Sequence, residues 1–88
     1  MSDVAELRNR IQAIDRELLE LVAERVSVAR RIGANKRERE SATLDPGREA
    51  AVIRHAVERG RALGLPEEPV RQLFWTVVGL CRSAQIEP

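Results

Sequence analysis

The chain has 88 residues, of which 43% are hydrophobic and 33% are charged, and its net charge is +1 at pH 7. This length suits a single small domain spanning residues 1–88, and the hydrophobic content excludes a disordered chain. The balanced charge argues against nucleic acid as the main partner, because phosphate binding needs a local excess of Lys and Arg.

The single cysteine, Cys81, excludes an intrachain disulfide and a cysteine-based zinc site, so a reducing compartment is expected. The first residues show neither the basic flank nor the apolar core of a signal peptide. No apolar run approaches the ~20 residues that a membrane span requires. We therefore expect a soluble, cytoplasmic protein with no membrane partner.

The first predicted element is one long amphipathic helix from about Asp3 to Arg37, with Ser2 or Asp3 as its N-cap. Its apolar residues recur at alternating steps of four and three, which is the pattern of a heptad seam. The seam consists of Leu7, Ile11, Ile14, Leu18, Leu21, Val28 and Ile32.

The length of this helix predicts a dimer. A helix of this length measures roughly 50 Å, whereas a compact domain of this size has a radius of gyration near ~12 Å. The overhanging seam needs a cover, and a second copy of the chain is the simplest one. A bent or broken helix, with Gly33 as the candidate position, is the alternative.

A second helix is predicted to begin with Asp45 as N-cap and Pro46 at its first position. It should end within residues 60–64, where glycines stand at both ends of the range and Leu63 and Leu65 would pack at the turn.

Pro66 is predicted to open a third helix, and no segment alternates with the period of a strand. Its apolar stripe consists of Val70, Leu73, Phe74, Val77, Val78, Cys81 and Ala84. The expected fold class is all-α, with one long and two shorter helices per chain in a helical homodimer.

Arg25 occupies the seam position between Leu21 and Val28, where an apolar residue is expected. Lys36 lies on nearly the same side of the helix, about 20° away and roughly 16 Å along the axis. Cations that face an apolar interior need an anion. Two interpretations stay open: Arg25 pairs with Glu49 or another acid and fixes helix register, or it binds an anionic ligand.

Arg8 lies about 100° from Arg25 around the helix and about 25 Å away along it, so the two cannot share a site within one chain. In an antiparallel dimer, Arg8 could reach the site of the partner chain. An ordinary surface arginine is the alternative.

Asp45, Arg48 and Glu49 lie within one helical turn and form a polar cluster, for which capping plus a local ion pair is the alternative. Gln85 extends the stripe of the third helix beyond Cys81, which by itself suits a small buried hydrophobe. No metal-ligand spacing, phosphate loop or activated nucleophile is visible, so we predict no metal and no cofactor. Cations and a glutamine beside a helical core suit the binding of a small dianion.

The ordered set of these residues resembles the all-helical chorismate mutases over nearly the full chain. The matching pattern is Leu7-Arg8-x-x-Ile11, Ile14-Asp15, Leu18-Leu19-x-Leu21, Ala23-Glu24-Arg25, Ile32-Gly33-x-x-Lys36, Asp45-x-x-Arg48-Glu49, Leu73-Phe74 and Gln85. The resemblance implies an intertwined dimer with two equivalent sites. The implied reaction is the Claisen rearrangement of chorismate to prephenate, without a cofactor.

The resemblance also implies residue roles. Arg8 of the partner chain and Arg25 would hold the two carboxylates of chorismate. Lys36 would bridge a carboxylate and the ether oxygen, and Gln85 would donate to that oxygen; with Arg25, these are the implied catalytic residues.

The remaining implied contacts concern the substrate's C4 hydroxyl and a carboxylate. Asp45 and Glu49 would handle the hydroxyl, with Arg48 supporting them. Cys81 stands where many members carry a small hydroxyl residue, and a thiol is a weaker donor, which puts its contact with a substrate carboxylate in doubt.

The alternative functions are either other reactions catalysed by the same fold or a role without catalysis. Relatives act as isochorismate pyruvate lyases or as 4-amino-4-deoxychorismate mutases, and a non-catalytic helical dimerisation module would also use the seam. The sequence also leaves open an activating partner enzyme. Nucleic-acid binding is disfavoured because Glu38 and Glu40 interrupt the basic run of Arg30, Arg31, Lys36, Arg37 and Arg39.

Overall fold

A computed structural model describes residues 3–38 and 45–86, with the side chains of residues 36–38 excepted. The described chain forms three helices, α1 (Val4–Glu38), α2 (Pro46–Ala62) and α3 (Glu67–Ile86), and these ranges contain no strand. The predicted all-α architecture of one long and two shorter helices is confirmed. The connection between α1 and α2, residues 39–44, lies outside the described residues.

Helix α1 is continuous over 35 residues, so the alternative of a helix broken at Gly33 is wrong. Asp3 caps its N-terminus: the carboxylate Oδ1 accepts a hydrogen bond of 2.8 Å from the backbone N–H of Glu6. The radius of gyration is 16.2 Å, well above the ~12 Å of a compact chain of this size, because α1 extends beyond the other helices.

The ends of α2 follow the sequence closely. Asp45 Oδ1 accepts a hydrogen bond of 3.0 Å from the Arg48 N–H, and Pro46 occupies the first turn. At the other end Gly64 adopts a φ of +79°, and the Leu65 N–H donates to the Gly60 carbonyl at 2.9 Å. This pairing is a Schellman motif, which satisfies carbonyls that a helix end otherwise leaves exposed.

The turn between α2 and α3 departs from the prediction in two details. Leu63 and Leu65 are 60% and 51% exposed, so the expectation that they pack at the turn is wrong for the single chain. Helix α3 begins at Glu67, one residue after the predicted Pro66. An ion pair from Arg61 to Glu67 joins the end of α2 to the start of α3, with Nε and Oε1 2.7 Å apart.

Helices α2 and α3 pack antiparallel through residues that repeat every four positions. Ile53, Val57 and Val78 form a buried cluster, with Val52 and Phe74 packed against it. In an antiparallel pair, residues later in one helix contact residues earlier in the other, and this cluster has that arrangement. It fixes the register that governs the polar contacts at the same face.

Helices α1 and α3 run parallel where they touch. Ala29 is buried with Cys81 and Ala84, and one turn further on Gly33 meets Gln85. A Cβ at position 33 would lie 2.3 Å from the Gln85 carbonyl oxygen, so the two backbones approach more closely than any side chain permits. The glycine therefore brings the C-terminal turns of α3 against α1.

Helix α3 lies between the other two helices, since it packs against both α1 and α2, which do not pack against each other within the described residues. The seam of α1 is left largely exposed in the single chain, with Ile11 57% and Leu21 63% exposed. Of the described helices, none is both long enough and apolar enough to cross a membrane.

Candidate active site

A cavity of about 420 Å³ opens between α1 and α2, with α3 contributing its remaining wall. This volume falls in the usual range for small-molecule sites. The lining combines an apolar surface with a few polar side chains. The apolar residues are Val28, Ala29, Ile32, Val52, Val78 and Cys81, and the polar ones are Arg25, Arg48, Glu49 and Gln85.

Arg25 reaches this cavity from α1, where it is half-buried. It lies one turn before Ala29, whose burial against α3 orients this face of α1. None of the described carboxylates forms an ion pair with Arg25. The guanidinium therefore borders a partly apolar cavity without a protein anion from the described residues, which is the arrangement that an anionic ligand would satisfy.

Glu49 pairs with Arg82 of α3, so the interpretation in which Arg25 pairs with Glu49 is wrong. Arg82 Nε donates to Glu49 Oε2 at 2.9 Å, and Nη2 donates to Oε1 at 2.7 Å, in a bidentate arrangement. These bonds and, to a lesser degree, the charge of Arg82 lower the pKa of the Glu49 carboxyl, whereas burial and the nearby Asp45 charge act to raise it. Glu49 is accordingly held ionised at the edge of the cavity.

The other two residues of the predicted polar cluster separate in the structure. Arg48 lines the cavity, whereas Asp45 does not. Asp45 instead caps α2, and its Oδ1 accepts a hydrogen bond from the Arg48 N–H. The alternative for this cluster is capping plus a local ion pair. Its capping part is confirmed for Asp45, whereas the ion pair runs from Glu49 to Arg82 on another helix.

Two predicted residues enter the cavity from α3, one turn apart. Cys81 is 3% exposed and packs with Ala29 and Ala84, so its surroundings are mainly apolar. Gln85 is half-buried on the cavity wall, and its backbone lies against Gly33. A primary amide is a donor that stays neutral at any pH, which suits a hydrogen bond to an oxygen in a partly apolar setting.

The two remaining predicted residues, Arg8 and Lys36, lie on α1. Arg8 is exposed in the N-terminal part of α1, about 25 Å along the helix from Arg25, and does not line the cavity of its own chain. The Lys36 side chain lies outside the described residues. Among those residues, no three His, Cys, Asp or Glu side chains are close enough to hold a metal ion.

A family model described as chorismate mutase type II matches residues 7–86. The chain belongs to this family. The match includes α2, α3, all of α1 except its first three residues, and every residue that lines the cavity. No curated protein matches the chain significantly. The resemblance noted from the sequence is thereby confirmed at the level of the family.

Arg82 is the polar residue beside this cavity that the sequence interpretation missed. A signal was present, because Phe74, Val78 and Arg82 are spaced by four on α3 and so share one face. On α2 the matching row begins with Glu49 and continues through Ile53. Aligning the two rows antiparallel through their buried members places the acid opposite the arginine.

Proposed function

We propose that this member of the chorismate mutase type II family is a chorismate mutase, an isomerase that converts chorismate to prephenate. The observation that carries the proposal is the cavity wall on which Arg25, which pairs with none of the described carboxylates, stands with Arg48 and Gln85 beside apolar side chains. Chorismate is a small dicarboxylate with an apolar ring edge. Its chemistry matches a cavity with two guanidinium groups and an apolar floor.

The reaction needs a shaped and charged cavity more than it needs reactive groups. In a Claisen rearrangement one C–O bond breaks as one C–C bond forms, within a single molecule. Apolar walls that admit only the compact, chair-like conformer remove the entropy of finding it. Donors aimed at the ether oxygen stabilise the negative charge that grows there as the C–O bond breaks.

In the proposed mechanism each polar residue has one task. Arg25 binds a substrate carboxylate, Gln85 donates to the ether oxygen, and Lys36 bridges that oxygen and a carboxylate. Glu49 accepts from the C4 hydroxyl, with Arg48 nearby. Asp45 has a weaker case for direct contact, since it caps α2 and does not line the cavity.

We further propose that the protein works as an intertwined homodimer in which Arg8 enters the site of the partner chain. The exposed seam supports this proposal, because five successive apolar residues of the seam are roughly half exposed in the single chain. These residues are Leu7, Ile11, Ile14, Leu18 and Leu21. A second copy would cover them and bring a further cation to each cavity.

The test is direct. Purified protein is added to chorismate, the loss of its ultraviolet absorbance is followed, and the product is identified. Prephenate as the product is the expected result. Release of pyruvate from isochorismate would establish the lyase instead, and failure to convert chorismate, isochorismate or 4-amino-4-deoxychorismate would favour the non-catalytic dimerisation module.

A further inference from the structure

The ion pair between Glu49 and Arg82 determines the charge that the cavity presents to a substrate. Glu49 is the one carboxylate among the described residues that line the cavity, and its side chain is 19% exposed. Arg82 is not among the described residues that line the cavity, and it pairs with Glu49, which does line it. Glu49 stays ionised, but the positive charge of Arg82 offsets the negative charge that Glu49 would otherwise present to the cavity.

The hydrogen bonds also limit what Glu49 can accept. A carboxylate has about four acceptor positions, and the Arg82 fork occupies at least one on each oxygen. The positions that remain can accept a hydrogen bond from a hydroxyl. They offer little net charge to a cation, because the guanidinium repels any cation that approaches the same carboxylate.

Other charges around the cavity act in the same direction. Arg25 and Arg48 line it, and neither forms an ion pair with a described carboxylate. Asp45 is close enough to affect Glu49 electrostatically, but it does not line the cavity. An ammonium group beside Glu49 would therefore meet more positive than negative charge.

We infer that Arg82 is a specificity-determining residue, which neutralises Glu49 so that the site prefers a substrate with a hydroxyl group at C4 over one with an amino group. The inference rests on the proposed function and chooses between two of its candidate substrates. An aliphatic amine is protonated at neutral pH, so 4-amino-4-deoxychorismate carries a cation where chorismate carries a neutral donor.

The test is the ratio of kcat/KM for chorismate to kcat/KM for 4-amino-4-deoxychorismate, with each substrate assayed separately. Wild-type protein should favour chorismate. Arg82→Met leaves Glu49 charged and unpaired, and should move the ratio toward the amino substrate by about ten- to a hundredfold, as expected for one charge a few ångströms away. Arg82→Gln should move it in the same direction and serves if the Met variant does not fold.

Two further variants separate this effect from a loss of structure. Arg71→Met removes an arginine from the same helix, where it pairs with Glu68 away from the cavity, and should leave the ratio unchanged. The double variant Arg82→Met with Glu49→Gln removes both charges, so its ratio should return toward that of wild type. Circular dichroism and the Tm report the fold of each variant.

Each outcome bears on the inference. The inference would be overturned if the ratio stays within twofold of wild type in both Arg82→Met and Arg82→Gln, or if wild type prefers the amino substrate. The proposed reaction would stand in either case. Turnover of neither substrate by wild type would overturn the proposed function and this inference together.

Discussion

The Gln85 carbonyl oxygen stands 2.3 Å from the point at which a Cβ on Gly33 would lie. The absence of a side chain at position 33 therefore sets how closely α3 approaches α1, and with it the depth at which Gln85 enters the cavity. Backbone atoms cannot rotate away as a flexible side chain can, so a methyl group here must push the helices apart.

Gly33→Ala should lower both stability and activity. Overpacking of this kind costs typically ~1–3 kcal/mol, and the shift of α3 should lower kcat/KM on chorismate by about tenfold or more. Gly79→Ala is the matched control, because a Cβ at position 79 meets none of the described residues within 4 Å and alanine is the better helix former. Unchanged activity in Gly33→Ala would show that the contact does not position Gln85.

Arg25→Ala should lower kcat/KM by about a hundredfold or more while the fold is retained, because it removes a cation with no partner among the described carboxylates. Lys36→Ala should have an effect of the same order. Steady-state kinetics on chorismate and the thermal unfolding midpoint are the measurements. Near wild-type activity in either variant would contradict the assigned roles.

Mixing two inactive variants tests the assignment of Arg8 to the partner chain. Arg8→Ala and Arg25→Ala proteins are unfolded together, refolded and assayed. If Arg8 crosses between chains, half of the sites in each mixed dimer are intact, and about a quarter of wild-type activity should return after random assortment. If Arg8 serves its own chain, every site lacks one arginine and no activity returns.

Ile14→Glu should weaken the dimer, since it places a charge in the seam that we expect the partner to cover. Arg16→Glu changes a residue about 200° away around α1 and should leave the dimer intact. Sedimentation velocity over a range of protein concentrations measures both. A monomeric wild-type protein would contradict the proposed assembly.

The Glu49–Arg82 pair predicts a pH dependence of stability. The pKa of Glu49 is lowered from 4.5 in the folded chain, so the pair stabilises the fold above that value and its contribution is lost as the pH falls through the folded pKa. The free energy of unfolding of wild type should therefore decrease more steeply with acid than that of Glu49→Gln. Parallel curves from pH 7 down to about pH 3 would exclude this contribution.

Much of the fold follows from local sequence. Asp3 and Asp45 cap their helices as predicted, because a capping side chain bonds to a backbone only three residues away. The bounds of α1 are also a local property, because they follow from the extent of the apolar seam. Residues 63 and 65 were misjudged because an apolar residue beside a turn carries no information about whether another element covers it.

The candidate site was partly predictable. Arg25 and Gln85 could be placed from single helices, since each interrupts or extends an apolar row. Arg82 could not be placed in this way, because its role depends on how α2 and α3 align, and its partner Glu49 is 33 positions away in the sequence. Pairing across helices requires the register, which follows from several buried contacts taken together.

The central position of α3 has a consequence for the order of folding. The α2–α3 hairpin joins neighbours in sequence through a tight turn, so its formation closes only a short loop. Helix α1 contacts α3 alone among the described helices, and those contacts lie far apart along the chain. We expect the hairpin to form first and the cavity to appear only when α1 docks, so that substrate binding monitors the last step of folding.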